Sequence, residues 1–195
     1  MAFEYASNPM SSFSCDSIVT NLQSGFLKGT NVVEARRTVG DLAGYWLDTD
    51  AASKQADELL YVTQTWLPIK DGTQGAVLWG NTTLMPGAVG DEFFMTRGHW
   101  HEKRDRGELC ITTSGTGLLV LMDEGGVTRF EEMKPGSTHY VPGFTAHRTV
   151  NNGTEPLMFL CAWPADCGHE YGSILQDGFS KRVLKSSVFS VDVGE

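Results

Sequence analysis

Four side chains in this sequence have the types and spacing of a metal-ligand set. His99 and His101 stand one residue apart in GHWHEKRDRGE, Glu108 ends that stretch, and His147 follows in VPGFTAHRTVNNG. On a strand, side chains at i and i+2 point to the same face, so His99 and His101 are expected to aim two imidazoles at one point. The polar, glycine-ended run 102–107 reads as a turn. Glu108 then opens the next strand, ELCITTSG, and His147 comes from a distant strand after a Pro-Gly turn. Three neutral imidazoles and one carboxylate suit a first-row divalent ion such as iron, manganese, nickel or zinc, with positions left open for a further ligand. A His-x-His pair by itself is equally well explained by one buried, hydrogen-bonded histidine with an accidental neighbour. The agreement of four donors, two turns and the strand phases carries the metal reading.

The elements that must position these donors are short strands. From Tyr61 onward, β-rich runs alternate with turn signals: 60–67, 76–85, 92–96, 108–113, 117–122, 127–133, 138–141, 147–151 and 157–163. The turns between them are Asp71-Gly72, Pro86-Gly87, Gly125-Gly126, Pro135-Gly136, Pro142-Gly143 and Asn152-Gly153, dipeptides that supply the backbone conformations of tight turns. This pattern predicts an all-β double-sheet jelly roll, whose inward-pointing side chains meet inside a barrel. The first sixty residues are less regular and read as an N-terminal arm, with residues 61–185 forming the barrel and pocket loops of a single domain. Within the arm, Asp50 is expected to cap a helix over 51–60. A last strand is expected near 181–185.

Composition narrows the function. A chain of 195 residues, 41% hydrophobic, can bury one sizeable core. The net charge of −9 disfavours nucleic acid and anionic membranes as partners, while a few local donors can still bind a small phosphorylated ligand. The four cysteines, Cys15, Cys110, Cys161 and Cys167, form no C-x-x-C pair and are expected to be buried or incidental free thiols in a reducing compartment. No signal peptide is visible and no apolar run is long enough to span a bilayer. A cytoplasmic protein is expected.

The stretches TRGHWHEKRDRGE, PGSTHYVPGFTAHRTVNNGTEPLMFL, PADCGHEYGSI and GFSK together resemble the cupin-type phosphoglucose isomerases. These are small metal-dependent enzymes unrelated in fold to the large, metal-free glucose-6-phosphate isomerases. The likeness is densest from Thr82 to Lys181, with a weaker match at RRTVGDLAGYW. It implies a cupin double-stranded β-helix barrel, a homodimer, and interconversion of glucose 6-phosphate and fructose 6-phosphate. It also implies the metal ligands His99, His101, Glu108 and His147, with Fe²⁺ first among the candidate ions. Thr82, Thr96, Gly98 and Tyr171 would hold the substrate phosphate with Tyr61 nearby, and His169 would line the sugar end. Glu108 would be the catalytic base, unless the hydrogen moves by a direct 1,2-hydride shift. Two tyrosines of the family are missing: Cys110 stands two residues after Glu108, and Phe144 three before His147.

Threonine hydroxyls and a glycine N–H can donate to phosphate without a basic protein, although threonine is also simply a good strand residue. His169 and Tyr171 fall in a Gly-flanked loop, where function is commonly carried. Lys103, Arg104 and Arg106 read as a solvated turn, His139 as a surface strand residue, and the remaining aromatics as core or pocket wall. Two other readings fit the same ligand set: a mononuclear iron dioxygenase on a cupin scaffold, and a sugar-phosphate-binding protein without turnover.

Overall fold

The computed structural model describes residues 17–186 and the backbone at 191–192; Cys15 lies outside the described residues. Nine strands of four to eight residues build the molecule: β1 Val32–Thr38, β2 Leu59–Trp66, β3 Val77–Leu84, β4 Glu108–Ser114, β5 Gly117–Asp123, β6 Thr128–Met133, β7 Thr138–Val141, β8 Thr145–Val150 and β9 Leu157–Pro164. They form a six-stranded sheet in the order β7-β4-β9-β3-β2-β1 and a three-stranded sheet in the order β6-β5-β8. All the pairs are antiparallel. The chain changes sheet between β4 and β5, and again at each step from β6 to β9, which is the winding of a jelly-roll barrel. This is the expected all-β architecture.

Strand alternation sets what the barrel contains. In β4 the buried residues are Glu108, Cys110 and Thr112, whereas Leu109 and Ile111 are exposed. The usual apolar-in pattern is thus inverted there, with the chemically useful side chains inside. Apolar packing comes instead from Leu60, Leu84, Phe94, Leu119, Leu121, Met133, Val141, Leu157 and Phe179. No helix among the described residues is long and apolar enough to cross a membrane.

Four expectations need correction. β1 falls inside the residues read as an arm, yet it pairs along β2 from Val32↔Trp66 to Thr38↔Leu59 and forms one edge of the six-stranded sheet. The helix α1 covers only Thr49–Lys54, and its cap is Asp48, whose Oδ1 accepts the Ala51 N–H at 2.8 Å. It ends early because Leu59 and Leu60 are drawn into β2, where cross-strand pairing and burial outweigh helix propensity. The stretch expected as a strand at 92–96 is paired only at Glu92–Phe93, with Ala88–Val89, and touches β8 through the single bridge Met95↔Val150. The fourth correction concerns His139, which is buried rather than on the surface. Its Nδ1 lies 2.8 Å from Glu131 Oε2 on β6 and its Nε2 2.8 Å from Ser137 Oγ, which donates to Thr112 Oγ1 on β4. This chain of bonds ties the two sheets together. The tail strand is short: Lys181–Arg182 pairs with Val191–Asp192.

Candidate metal centre and cavity

His99, His101 and His147 converge because two local structures meet. The segment 95–99 runs alongside β8 without becoming a full strand, held by Thr96 N–H to Thr149 O (2.8 Å) and by reciprocal bonds between the backbones of His99 and His147 (3.1 and 3.0 Å). The i, i+2 relation between His99 and His101 survives in this irregular backbone, so both imidazoles reach the same point. The ring centroids of His99 and His147 are 4.4 Å apart and those of His101 and His147 5.2 Å. Glu108, at the first position of β4, sets Oε2 3.4 Å from His101 Nε2 and 3.5 Å from His147 Nε2.

The donors fit a cation. One ligand atom from each of His99, His101, Glu108 and His147 lies within 4.8 Å of all the others. His99 Nε2 and His101 Nε2 are buried with no hydrogen-bond partner, a costly state that a bound ion would relieve. His101 Nδ1 meets the Arg106 carbonyl at 2.8 Å; donating there fixes the tautomer and turns Nε2 toward the other donors. Electrostatics agree with a neutral His99 beside an anionic carboxylate. Burial, with His147 and His169 nearby, holds His99 well below the ordinary imidazole range. Burial by itself would raise Glu108, but His101 and His147 outweigh it and hold its carboxyl well below the usual range. Burial likewise lowers His101, and there Glu108 and the Arg106 carbonyl prevail and raise it.

These donors sit at one side of a cavity of about 300 Å³ inside the barrel. Four strands supply much of its wall: Tyr61, Thr63, Gln64 and Thr65 from β2, Gly80, Asn81 and Thr82 from β3, Phe159, Cys161 and Trp163 from β9 at a period of two, and His147, Arg148 and Thr149 from β8. Thr82, Thr96, Gly98, His169, Tyr171 and Tyr61, named from the sequence, all line the same cavity. His101 alone of the ten does not, though it is buried. Thr96 Oγ1 accepts the Thr149 N–H at 3.0 Å, which leaves its hydroxyl proton able to donate elsewhere. Gly98 has φ +75°, and a Cβ there would fall 2.8 Å from Arg148 Nε. Only glycine takes this conformation and close approach without strain.

His169 stacks on Tyr171, with ring centroids 6.0 Å apart and planes 8° from parallel, and lies 4.5 Å from the His99 ring. Burial lowers His169 and raises both phenols, Tyr61 and Tyr171, despite the opposing pull of Arg97 and Arg37. The imidazole is therefore neutral and the phenols are hydrogen-bond donors at neutral pH. Cys110, where the resemblance implies a tyrosine, lines the cavity, whereas Phe144 is 51% exposed and does not line it.

Arg97 was not singled out from the sequence. Its guanidinium lies 5.1 Å from the Tyr171 ring and 5.9 Å from the Tyr45 ring and donates to Asp41 O at 3.1 Å, so it holds a positive charge at the cavity wall. Its place between Thr96 and Gly98 in TRGH was the available signal. The basic run after His101 is committed elsewhere. Lys103 and Arg106 bond the buried carboxylate of Asp166 (2.7 and 3.0 Å), and Arg104 covers the Trp100 ring at 4.2 Å. These residues anchor the turn and are not a freely solvated run.

A family model described as "Glucose-6-phosphate isomerase (GPI)" matches residues 36–187, a span that contains every residue of the cavity and the donor cluster. The glucose-6-phosphate isomerase of Thermococcus litoralis is 40% identical over 160 residues, covering 80% of this chain and 83% of that protein. The one from Pyrococcus horikoshii is 38% identical over 173 residues, covering 87% and 89%. Among solved structures, an oxalate decarboxylase from Bacillus subtilis is similar at 25% identity and a TM-score of 0.44, over 56% of this chain and 26% of that one. This chain belongs to the glucose-6-phosphate isomerase family.

Proposed function

We propose that the barrel interconverts glucose 6-phosphate and fructose 6-phosphate with one divalent transition metal held by His99, His101, Glu108 and His147. The observation that carries this reading is the convergence of buried imidazole nitrogens lacking partners with one carboxylate, beside a sugar-sized cavity whose wall also carries Arg97 and two phenols. When bound, the metal would supply Lewis acidity toward the neighbouring carbonyl and hydroxyl oxygens of the sugar. Fe²⁺ is the first candidate, with Mn²⁺, Ni²⁺ and Zn²⁺ as alternatives for a set rich in imidazole.

The chain's own residues divide the remaining work. Glu108 is ionised and faces His101 and His147 through Oε2, while its Oε1 accepts a thiol hydrogen bond from Cys110 at 3.2 Å. Oε1 is thus the oxygen able to take the proton from C2 and return it to C1. His169 lines the sugar end, and Leu119, Phe159 and Trp163 give it apolar walls that limit water. Thr82, Thr96, Gly98, Tyr61 and Tyr171, on the same cavity wall, bind the phosphate as hydrogen-bond donors. Arg97 adds the charge that an acidic protein must supply locally.

Thr96→Val and Tyr171→Phe are expected to act on substrate binding, because the phosphate lies away from the reacting carbons. A lost hydrogen bond to a charged group costs about 1.5–3 kcal/mol, or roughly a 10- to 150-fold rise in KM, with kcat changed far less. Steady-state kinetics on fructose 6-phosphate check this; wild-type KM in both variants would place the phosphate elsewhere.

The reading includes a homodimer in a reducing cytoplasm. Leu109, Ile111 and Tyr140 form an exposed apolar strip on the outer face of β4 and β7, with Leu109 directly opposite Tyr140, a surface suited to a second copy of the chain. The cysteines among the described residues are free, which suits that compartment. Leu109→Lys is expected to halve the mass measured by light scattering while leaving the circular dichroism spectrum intact. An unchanged dimer would remove this face from the interface.

A further inference from the structure

Cys110 and Cys161 face each other directly across β4 and β9. Their sulfurs are 2.6 Å apart, and both residues line the cavity. Glu108 turns its two oxygens to two different donor groups: Oε2 to His101 and His147, Oε1 to the thiol of Cys110. The ligand atoms of Glu108, Cys110 and Cys161 all lie within 4.8 Å of one another. We infer that Glu108, Cys110 and Cys161 form a second cation site, adjoining the histidine centre and sharing its carboxylate, that takes a thiophilic ion such as Cd²⁺ or Zn²⁺ and thereby inhibits turnover.

The chemistry separates the two sites. Sulfur donors select soft and borderline ions, whereas the imidazole-rich set accepts the ordinary first-row series. Binding replaces two S–H bonds with two metal–sulfur bonds, and the two protons leave to solvent through the cavity. No electron is transferred, so no oxidant is needed. Two sulfurs on one tetrahedral ion, each about 2.3 Å from it, stand farther apart than these do. The side chains must therefore part, and the cavity beside them gives the room. An ion held there engages Oε1, the oxygen that the isomerase reading leaves free to carry the proton. The inhibitory consequence rests on that reading; the existence of the site does not.

The test uses the metal-loaded enzyme, its thiols kept reduced with a phosphine, titrated with Cd²⁺. Three quantities are followed together: the ultraviolet thiolate-to-cadmium band, the metal content of the protein, and the rate on fructose 6-phosphate. The expected result is one added Cd²⁺ per chain with the resident metal retained, the band rising in step, and activity falling with it. Cys161→Ala should abolish the band and raise the half-inhibiting Cd²⁺ concentration by about tenfold or more relative to that variant's own uninhibited rate. Cys110→Ser should behave alike, and Cys167, kept in both variants, serves as an internal control. Absence of the band, cadmium that only displaces the resident metal, inhibition unaltered by Cys161→Ala, or full turnover with the site filled would each overturn the inference. If the protein proved inactive on sugar phosphates from the outset, the band and the stoichiometry would still decide whether the site exists.

Discussion

Glu108→Gln is expected to lower kcat on fructose 6-phosphate by about 10²–10⁴-fold with metal still bound, the range for loss of a general acid–base group. The substitution keeps the shape of the side chain, and three imidazoles remain to hold the ion, less tightly without the negative charge. Two effects must therefore be separated, and metal analysis of the same sample separates them. If occupancy is restored by excess metal and turnover stays low, the lost group was the proton carrier. Isotope gives an independent reading. Product formed in D₂O by proton transfer through Glu108 should carry deuterium at C1 or C2, whereas a hydride shift moves the hydrogen intact. A metal-replete Glu108→Gln protein with near-normal turnover and no label would leave Glu108 as a ligand only.

His101→Ala should act earlier, on the metal itself. His101 is 3% exposed, its Nδ1 is fixed by the Arg106 carbonyl, and its Nε2 is buried 3.4 Å from Glu108 Oε2. Losing an outer-shell partner of a metal ligand typically costs about 10–100-fold in affinity, so loss of the ligand should exceed that. The expected outcome is protein that leaves gel filtration nearly metal-free and nearly inactive, with partial recovery at high added Fe²⁺ or Mn²⁺. A thermal melt of the variant, compared with chelated wild type, separates lost metal from lost fold. Full metal retention at wild-type affinity would remove His101 from the ligand set.

The donor cluster was legible in the sequence because its information is local and chemically rare. His99 and His101 announce a shared face through their spacing, the 102–107 turn fixes where Glu108 must begin a strand, and a Pro-Gly turn does the same before His147. What the sequence hid depended on register and on contacts between distant segments. Cys110 and Cys161 are 51 residues apart, and nothing in either strand says that they lie opposite each other. His139 looks like an outward strand residue until its pairing phase places it against Glu131 and Ser137. β1 was missed because Val32–Thr38 carries Glu34, Arg36 and Arg37 on an edge strand, so its burial is weak and its alternation faint. Arg97 escaped notice because its role comes from the Tyr45 and Tyr171 rings that flank it, both remote from it in sequence.

The proposed aldose–ketose isomerisation requires a metal held by His99, His101, Glu108 and His147. The most direct measurement is the rate of glucose 6-phosphate formation from fructose 6-phosphate by protein stripped with a chelator, with metal content measured on the same sample, before and after stoichiometric metal is returned. The stripped protein is expected to be inactive and to recover on adding Fe²⁺ or Mn²⁺. Mg²⁺ should restore far less, since it prefers oxygen ligands and keeps its waters. Full turnover by protein shown to be metal-free would contradict that requirement.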